Sequence, residues 1–265
     1  PRALRKEFTD AAWTTPSQRA EFVRRAAEAR DELGKMVPLL LPERGLSMER
    51  RKARLEAFTL AVEEGPDPSL FGPMFKAAMD GDDALRRVLM PLLQKCNDPR
   101  QHGLVVRQLK GSNAVLRRYC AVLLKRSGGR TALSALKEAL AEGGWSDRRE
   151  AMECAIELGG HHAIPALAEV LAKGTGDEKL AALALLGNAH YVRAAPRTAA
   201  DAIMPALDDP NLQVVAAAIR AFGAVAPADS FFEVVGPYLR SRDRRLQRAA
   251  LQCMEAFPGP RTVEE

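Results

Sequence analysis

Residues 163–187 read AIPALAEVLAKGTGDEKLAALALLG, and this stretch decides the fold. Ile164, Leu167 and Leu171 recur at spacings of three and four, with Ala168 beside them, which marks one face of a helix. Gly174-Thr175-Gly176 stops that helix, and Asp177 is placed to cap the next. Leu180, Leu183 and Leu186 then draw a second apolar stripe that ends at Gly187. Neither helix can bury its stripe alone, so the two must pair and the pair must stack on neighbours.

The same grammar recurs along the chain. Residues 201–223 (DAIMPALDDPNLQVVAAAIRAFG) and 232–254 (FEVVGPYLRSRDRRLQRAALQCM) follow it downstream, and 132–158, 104–124, 70–93 and 36–62 follow it upstream. With Pro38, Pro73, Ser134, Pro165, Pro205 and Pro237 as equivalent points, one period is 31 residues (134 to 165) and another 32 (205 to 237). The step of 40 from 165 to 205 contains an insertion, YVRAAPRTA. Two helices in a period near 31 predict an α-solenoid. The recurring proline is expected to kink each first helix, because it removes a backbone donor and crowds the preceding turn.

These features resemble HEAT-like repeats of the short bacterial type: the first-helix proline, the acidic turns Asp82-Asp83 and Asp208-Asp209, and a second helix rich in Ala and Leu. The Trp/Gly/Tyr signature of tetratricopeptide repeats and the T-P-L-H of ankyrin repeats are absent. The resemblance implies an all-α fold, a right-handed α-solenoid of about seven antiparallel helix pairs over residues 36–257. An N-terminal capping helix is expected within residues 1–35 and a polar, frayed tail over 258–265. HEAT proteins serve as scaffolds, adaptors, nucleic-acid binders and occasionally enzymes, so the fold leaves the function open.

Composition agrees with stacked helices. Hydrophobic residues make up 47% of the 265, aromatic ones only 5%, fewer than a β-rich chain would carry. Cys96, Cys120, Cys154 and Cys253 are too scattered for a metal signature and are expected to be reduced core thiols, which favours the cytoplasm. No stretch reaches 18 apolar residues, so no membrane span is expected, and no signal peptide is visible. The chain begins at Pro1 without methionine, as expected of a piece of a longer protein.

Toward the N-terminus, Thr15-Pro16 reads as a helix start, with Phe22, Val23, Ala26, Ala27 and Leu33 facing inward and Phe8 and Trp13 packing in front. LPERGLSME (41–49) is a long turn, and EEGPDPSLFGP (63–73) a rigid link with three prolines. Gly143-Gly144-Trp145-Ser146-Asp147 is an extended turn whose tryptophan either packs or anchors a partner.

The net charge is +5, from 39 Lys+Arg against 34 Asp+Glu. Its arrangement says more than the total. Arg86, Arg117, Arg148 and Lys179 follow at steps of 31, with Arg87, Arg118 and Arg149 beside the first three. Arg242, Arg244, Arg245 and Arg248 restore the charge near the end. One reading is an Asp–Arg ladder between successive turns, with Asp82, Asp83, Asp147 and Asp177 placed for it. The other is a basic stripe for an acidic partner or a phosphate backbone. Both can hold, since each unit has two basic residues and a ladder uses one. The candidate partner-binding residues are therefore Arg86, Arg87, Arg117, Arg118, Trp145, Arg148, Arg149, Lys179, Arg244 and Arg245.

Chemistry has little to stand on. His161 and His162 are neighbours expected to point apart, and His102 and His190 are alone; no H-E-x-x-H, P-loop, G-x-G-x-x-G or G-x-S-x-G is present. HEAT-like alkylpurine DNA glycosylases use tryptophans and an aspartate on a basic face, which Trp145 and Asp147 beside Arg148 and Arg149 echo. Only the distant Trp13 remains to supply a second indole. Bilin-lyase relatives share the short repeat, but no chromophore pocket is identifiable. The expectation is a non-catalytic interaction scaffold or adaptor for a partner protein or peptide. The alternative is a nucleic-acid binder, and no cofactor, metal or small-molecule substrate is expected.

Overall fold

The structure, a computed structural model, describes residues 2–11, 13, 15–43, 45–142, 145 and 147–256. The tail expected over 258–265, and Gly143, Gly144 and Ser146 of the extended turn, lie outside the described residues. Among the described residues the chain is helical and contains no strand. It divides into two compact units, one up to Leu104 and one from Val105 onward.

The first unit contains α1 (Arg2–Asp10), α2 (Pro16–Glu28), α3 (Arg30–Met36), α4 (Met48–Glu64), α5 (Phe71–Asp80) and α6 (Asp83–Lys95). Helix α2 packs on α4 and α4 on α6, while α1 packs on α3 and α3 on α5. Residues 1–35, expected to hold one capping helix, thus hold α1, α2 and most of α3. Thr15 starts α2 with a reciprocal cap: its hydroxyl accepts from the Gln18 amide at 3.3 Å, and the Gln18 side chain accepts from the Thr15 amide at 3.2 Å. Phe22, Val23, Ala26 and Leu33 are buried, Ala27 only partly. Phe8 is fully buried with its ring 5.9 Å from Phe22, and Trp13 sits 4.7 Å from Phe22 with its indole N–H on Glu7. Both aromatics therefore pack within the end of the unit.

Helix α7 (His102–Leu109) lies across the division in sequence. The second unit continues with α8 (Ala114–Ser127), α9 (Gly129–Glu142), α10 (Arg149–Gly159), α11 (Ile164–Lys173), α12 (Gly176–Leu186), α13 (Ala189–Val192), α14 (Pro196–Ile203), α15 (Leu212–Val225), α16 (Ala228–Val235) and α17 (Arg244–Ala256). Helices α8, α10, α12, α15 and α17 each pack on the next; α9, α11 and α14 do the same alongside. Helix α15 is apolar on nearly every side, and Val214, Val215, Ala218, Ile219, Phe222 and Val225 are buried between α12, α14 and α17. The insertion at 191–199 ends α13 and starts α14, with Pro196 at its first position.

Two local expectations are corrected. Helix α12 is capped by Thr175, not Asp177: the Thr175 hydroxyl accepts from the Glu178 amide, and the Glu178 carboxylate accepts from the Thr175 amide at 2.9 Å. Threonine followed three residues on by glutamate closes both donors, whereas Asp177 sits inside the first turn. The recurrent prolines mostly change the helix type rather than kink it. Pro38, Pro205 and Pro237 each open a short 3-10 segment (37–40, 204–208 and 236–240), and Pro165 sits in the first turn of α11. There the missing N–H has no helical acceptor to lose. Pro73 lies within α5, near its start, and Pro91 inside α6.

Small side chains bring successive helices close. A Cβ on Gly187, at the end of α12, would lie 2.8 Å from the Ala221 Cα of α15. The Cys154 thiol donates to the Ala121 carbonyl at 3.5 Å, and the Cys253 thiol to the Ile219 carbonyl at 3.4 Å, each reaching the neighbouring helix of the layer. All four cysteines are buried and free. Gly187→Ala should therefore destabilise the protein by about 1–3 kcal/mol, since backbone must move to admit the methyl group. Gly236→Ala, where a Cβ meets nothing within 4 Å and the backbone is already helical, should be neutral or stabilising by up to about 1 kcal/mol. Urea unfolding midpoints of the two variants check the contrast.

Candidate functional site

The basic residues separate into an inner set engaged between helices and an outer set left at the surface. The inner set is a ladder. In the first unit Arg51 of α4 reaches the head of α6, where both guanidinium nitrogens donate to the Asp82 carboxylate at 2.7 Å. Asp82 also accepts from the Leu85 amide, so one carboxylate caps the helix and binds the cation of the helix before it. In the second unit Arg117 lies 3.4 Å from Glu150 and 3.9 Å from Asp147. Arg148 lies 3.3 Å from Glu178, and Lys179 reaches Asp209 at 2.7 Å. Arg117 is 6% exposed and donates also to the Gly111 and Ser112 carbonyls. Arg86 turns inward to the Ala78 and Gly81 carbonyls and to Asp83.

Four of the candidate partner-binding residues, Arg86, Arg117, Arg148 and Lys179, are thereby engaged inside the protein. The ladder also differs in membership from the one expected. Asp82 and Asp147 belong to it. Among the described residues Asp83 pairs only with Arg86 of its own helix and Asp177 forms no rung, while Arg51, Glu150, Glu178 and Asp209 are further members. A signal for them exists: Arg51 and Asp82 are 31 residues apart, Lys179 and Asp209 are 30, and Arg117 and Glu150 are 33. Lys95–Glu63, Lys110–Glu142 and Lys125–Glu157 repeat it at 32. Opposite charges 30 to 33 residues apart mark the rungs.

The outer set behaves differently. Arg87, Arg118, Arg244 and Arg245 are exposed, and among the described residues their side chains form no ion pair or hydrogen bond. Arg149 is 62% exposed and folds back on Asp147, with Nη2 at 2.6 Å from Oδ2. Trp145 is half-buried. Its indole N–H donates to the Ala139 carbonyl at 2.8 Å, and Lys110 Nζ stands 5.7 Å from the ring centroid. With Asp147, Arg148, Thr175 and Asp177 it edges a cleft of about 240 Å3.

No family model and no curated protein matches this chain.

What the cleft can do chemically follows from its groups. The Asp147 carboxylate accepts from the amide, Nε and Nη2 of Arg149, which hold it below the usual carboxylate range. Such a carboxylate is a poor proton acceptor. Burial pushes the Cys120 and Cys154 thiols up to about 12, far from thiolate nucleophiles. His161 and His162 do not point apart as expected: their rings lie 3.9 Å apart, centroid to centroid, in the 3-10 turn before α11. Among the described residues no three His, Cys, Asp or Glu side chains gather as a metal site would require.

The Arg51 rung has a pH signature. The hydrogen bonds from Arg51 lower the Asp82 carboxyl to about 2 from 3.8. A depressed carboxyl stabilises the fold above its unfolded value, and that stability is lost as pH falls through the folded one. Because Asp82 is partly exposed, the pair is worth about 1 kcal/mol. Asp82→Asn keeps the cap and removes the charge. It should cost about that much at pH 7, with the gap closing between roughly pH 4 and pH 2, measured by urea unfolding at each pH.

Proposed function

We propose that the chain is a HEAT-like, right-handed α-solenoid of about seven antiparallel helix pairs, and that it is a non-catalytic scaffold holding a partner protein or peptide on its surface. Two observations support the repeat reading: helices pack on their neighbours in sequence order within each unit, and opposite charges meet across one repeat. The interaction reading is carried by the unengaged outer arginines. Protein interfaces are rich in arginine, and a guanidinium without an internal acid offers its fork to a carboxylate from outside.

The second reading, a nucleic-acid binder, draws on the same cations and on the overall positive charge. Its glycosylase form finds less support. The Asp147 carboxylate is already held by Arg149, Trp145 is tied to the Ala139 carbonyl, and Trp13 packs with Phe8 and Phe22. A reducing compartment, the cytoplasm, suits four buried free thiols.

The test is charge reversal and salt. A variant with Arg87→Glu and Arg118→Glu should weaken a partner protein captured by the native chain at least 10-fold, about 1.4 kcal/mol. Duplex DNA or RNA, titrated at increasing salt, should bind weakly or not at all. Retention of the partner by the variant would end the interaction reading at these residues. Retardation of nucleic acid with a steep fall of log K against log salt would establish the second reading instead.

A further inference from the structure

We propose that the groove between α12, α15 and α17 docks an acidic peptide segment carrying an apolar anchor residue. This rests on the interaction reading but not on Arg87 or Arg118. The groove holds about 400 Å3 and has Leu180, Ala216 and Ala249 as its floor, with Arg220, Arg245 and Arg248 around it. Ala216 and Ala249 are buried and small, which keeps the floor concave, and Leu180 is half-buried beside them. Arg245 and Arg248 are three residues apart on α17, and Ala216 and Arg220 four apart on α15, so each pair shares one helix face.

The charge at this place is uncompensated. All three arginines are exposed, and among the described residues their side chains have no ion pair or hydrogen bond. No carboxylate lines the groove. Lys95 has its acid, Glu63, 32 residues before it. One repeat before Arg245 and Arg248 stand Gln213 and Ala216, which are neutral. A carboxylate brought by a ligand would meet three guanidinium groups that have no internal partner among the described residues.

The floor decides between partners. A guanidinium binds a carboxylate through two parallel hydrogen bonds, and an apolar side chain fills an alanine-lined hollow, as a helix does in a groove. Single-stranded nucleic acid needs aromatic faces on which bases stack, and no aromatic side chain lines this groove. An acidic segment with leucine at helical spacing fits both the charge and the floor.

The probe is a short fluorescein-labelled peptide of glutamates with leucine at every fourth position, titrated by anisotropy against the full chain. Comparison probes are the same peptide with serine for leucine, and a labelled DNA oligomer of equal length. The Glu/Leu peptide should bind, and the serine peptide at least 10-fold more weakly. A variant with Arg245→Glu and Arg248→Glu should lose at least 10-fold, while Arg130→Glu, an exposed charge change on α9, should not. These surface changes should leave the circular dichroism and unfolding midpoint intact, so lost binding reads the groove. Equal binding by the serine peptide, undiminished binding by the double variant, or tighter binding of the DNA oligomer would each overturn the proposal. Loss of a captured partner through Arg87 and Arg118 bears on the wider reading alone, so the two fail separately.

Discussion

A carboxylate at the head of one helix receives the cation of the helix before it in the layer, and the remaining charge pattern depends on that contact. At Asp82 one side chain performs two tasks, accepting an amide of its own helix and both nitrogens of Arg51. The geometry fixes how far one helix can slide along the next, because moving either end breaks the cap and the pair together. Each such pair contributes little by itself in partly exposed surroundings. Its value lies in register, which recurs at Arg117, Arg148 and Lys179 in the second unit.

Because the inner cations are satisfied internally, the outer ones become informative. A surface arginine is ordinary, but Arg87 and Arg118 stand directly beside arginines that are engaged inside the protein. That contrast separates Arg87, Arg118, Arg244 and Arg245 from Arg86, Arg117, Arg148 and Lys179, although all eight looked equivalent as candidates. Burial makes the division physical. A guanidinium such as that of Arg117, 6% exposed and bonded to two carbonyls, is not available to a ligand without unmaking the turn around it.

Much of the local structure was legible in the residues. The spacing of Ile164, Leu167 and Leu171 gave a helix, Thr15-Pro16 gave a capped start, and the cysteines gave buried thiols. What misled was chemistry that several residues share. Thr175 and Asp177 are both good caps, and only Glu178, three residues after the threonine, breaks the tie. The prolines marked the right places but not the geometry, because Pro38, Pro205 and Pro237 each follow an α-helix directly, where the missing N–H ends the α-type bonding and the chain passes into a 3-10 turn instead of kinking. The rungs were only half visible. Arginines at steps of 31 stood out, but their acids fall 30 to 33 residues away as the turns vary in length, which blurs a strict period. The surface grooves had no signal at all, since concavity arises from which small residues face each other across helices far apart in sequence.

The thiols give the helix layers a further property. Cys154 and Cys253 each touch a backbone carbonyl of the adjacent helix, and Cys120 and Cys154 hold their protons up to about pH 12. A modifying reagent can reach such sulfurs only when neighbouring helices part. Their alkylation rates are thus a clock for local opening, ticking once for each transient separation. The clocks are distributed: Cys96 times the first unit, and the other three time α8, α10 and α17 of the second.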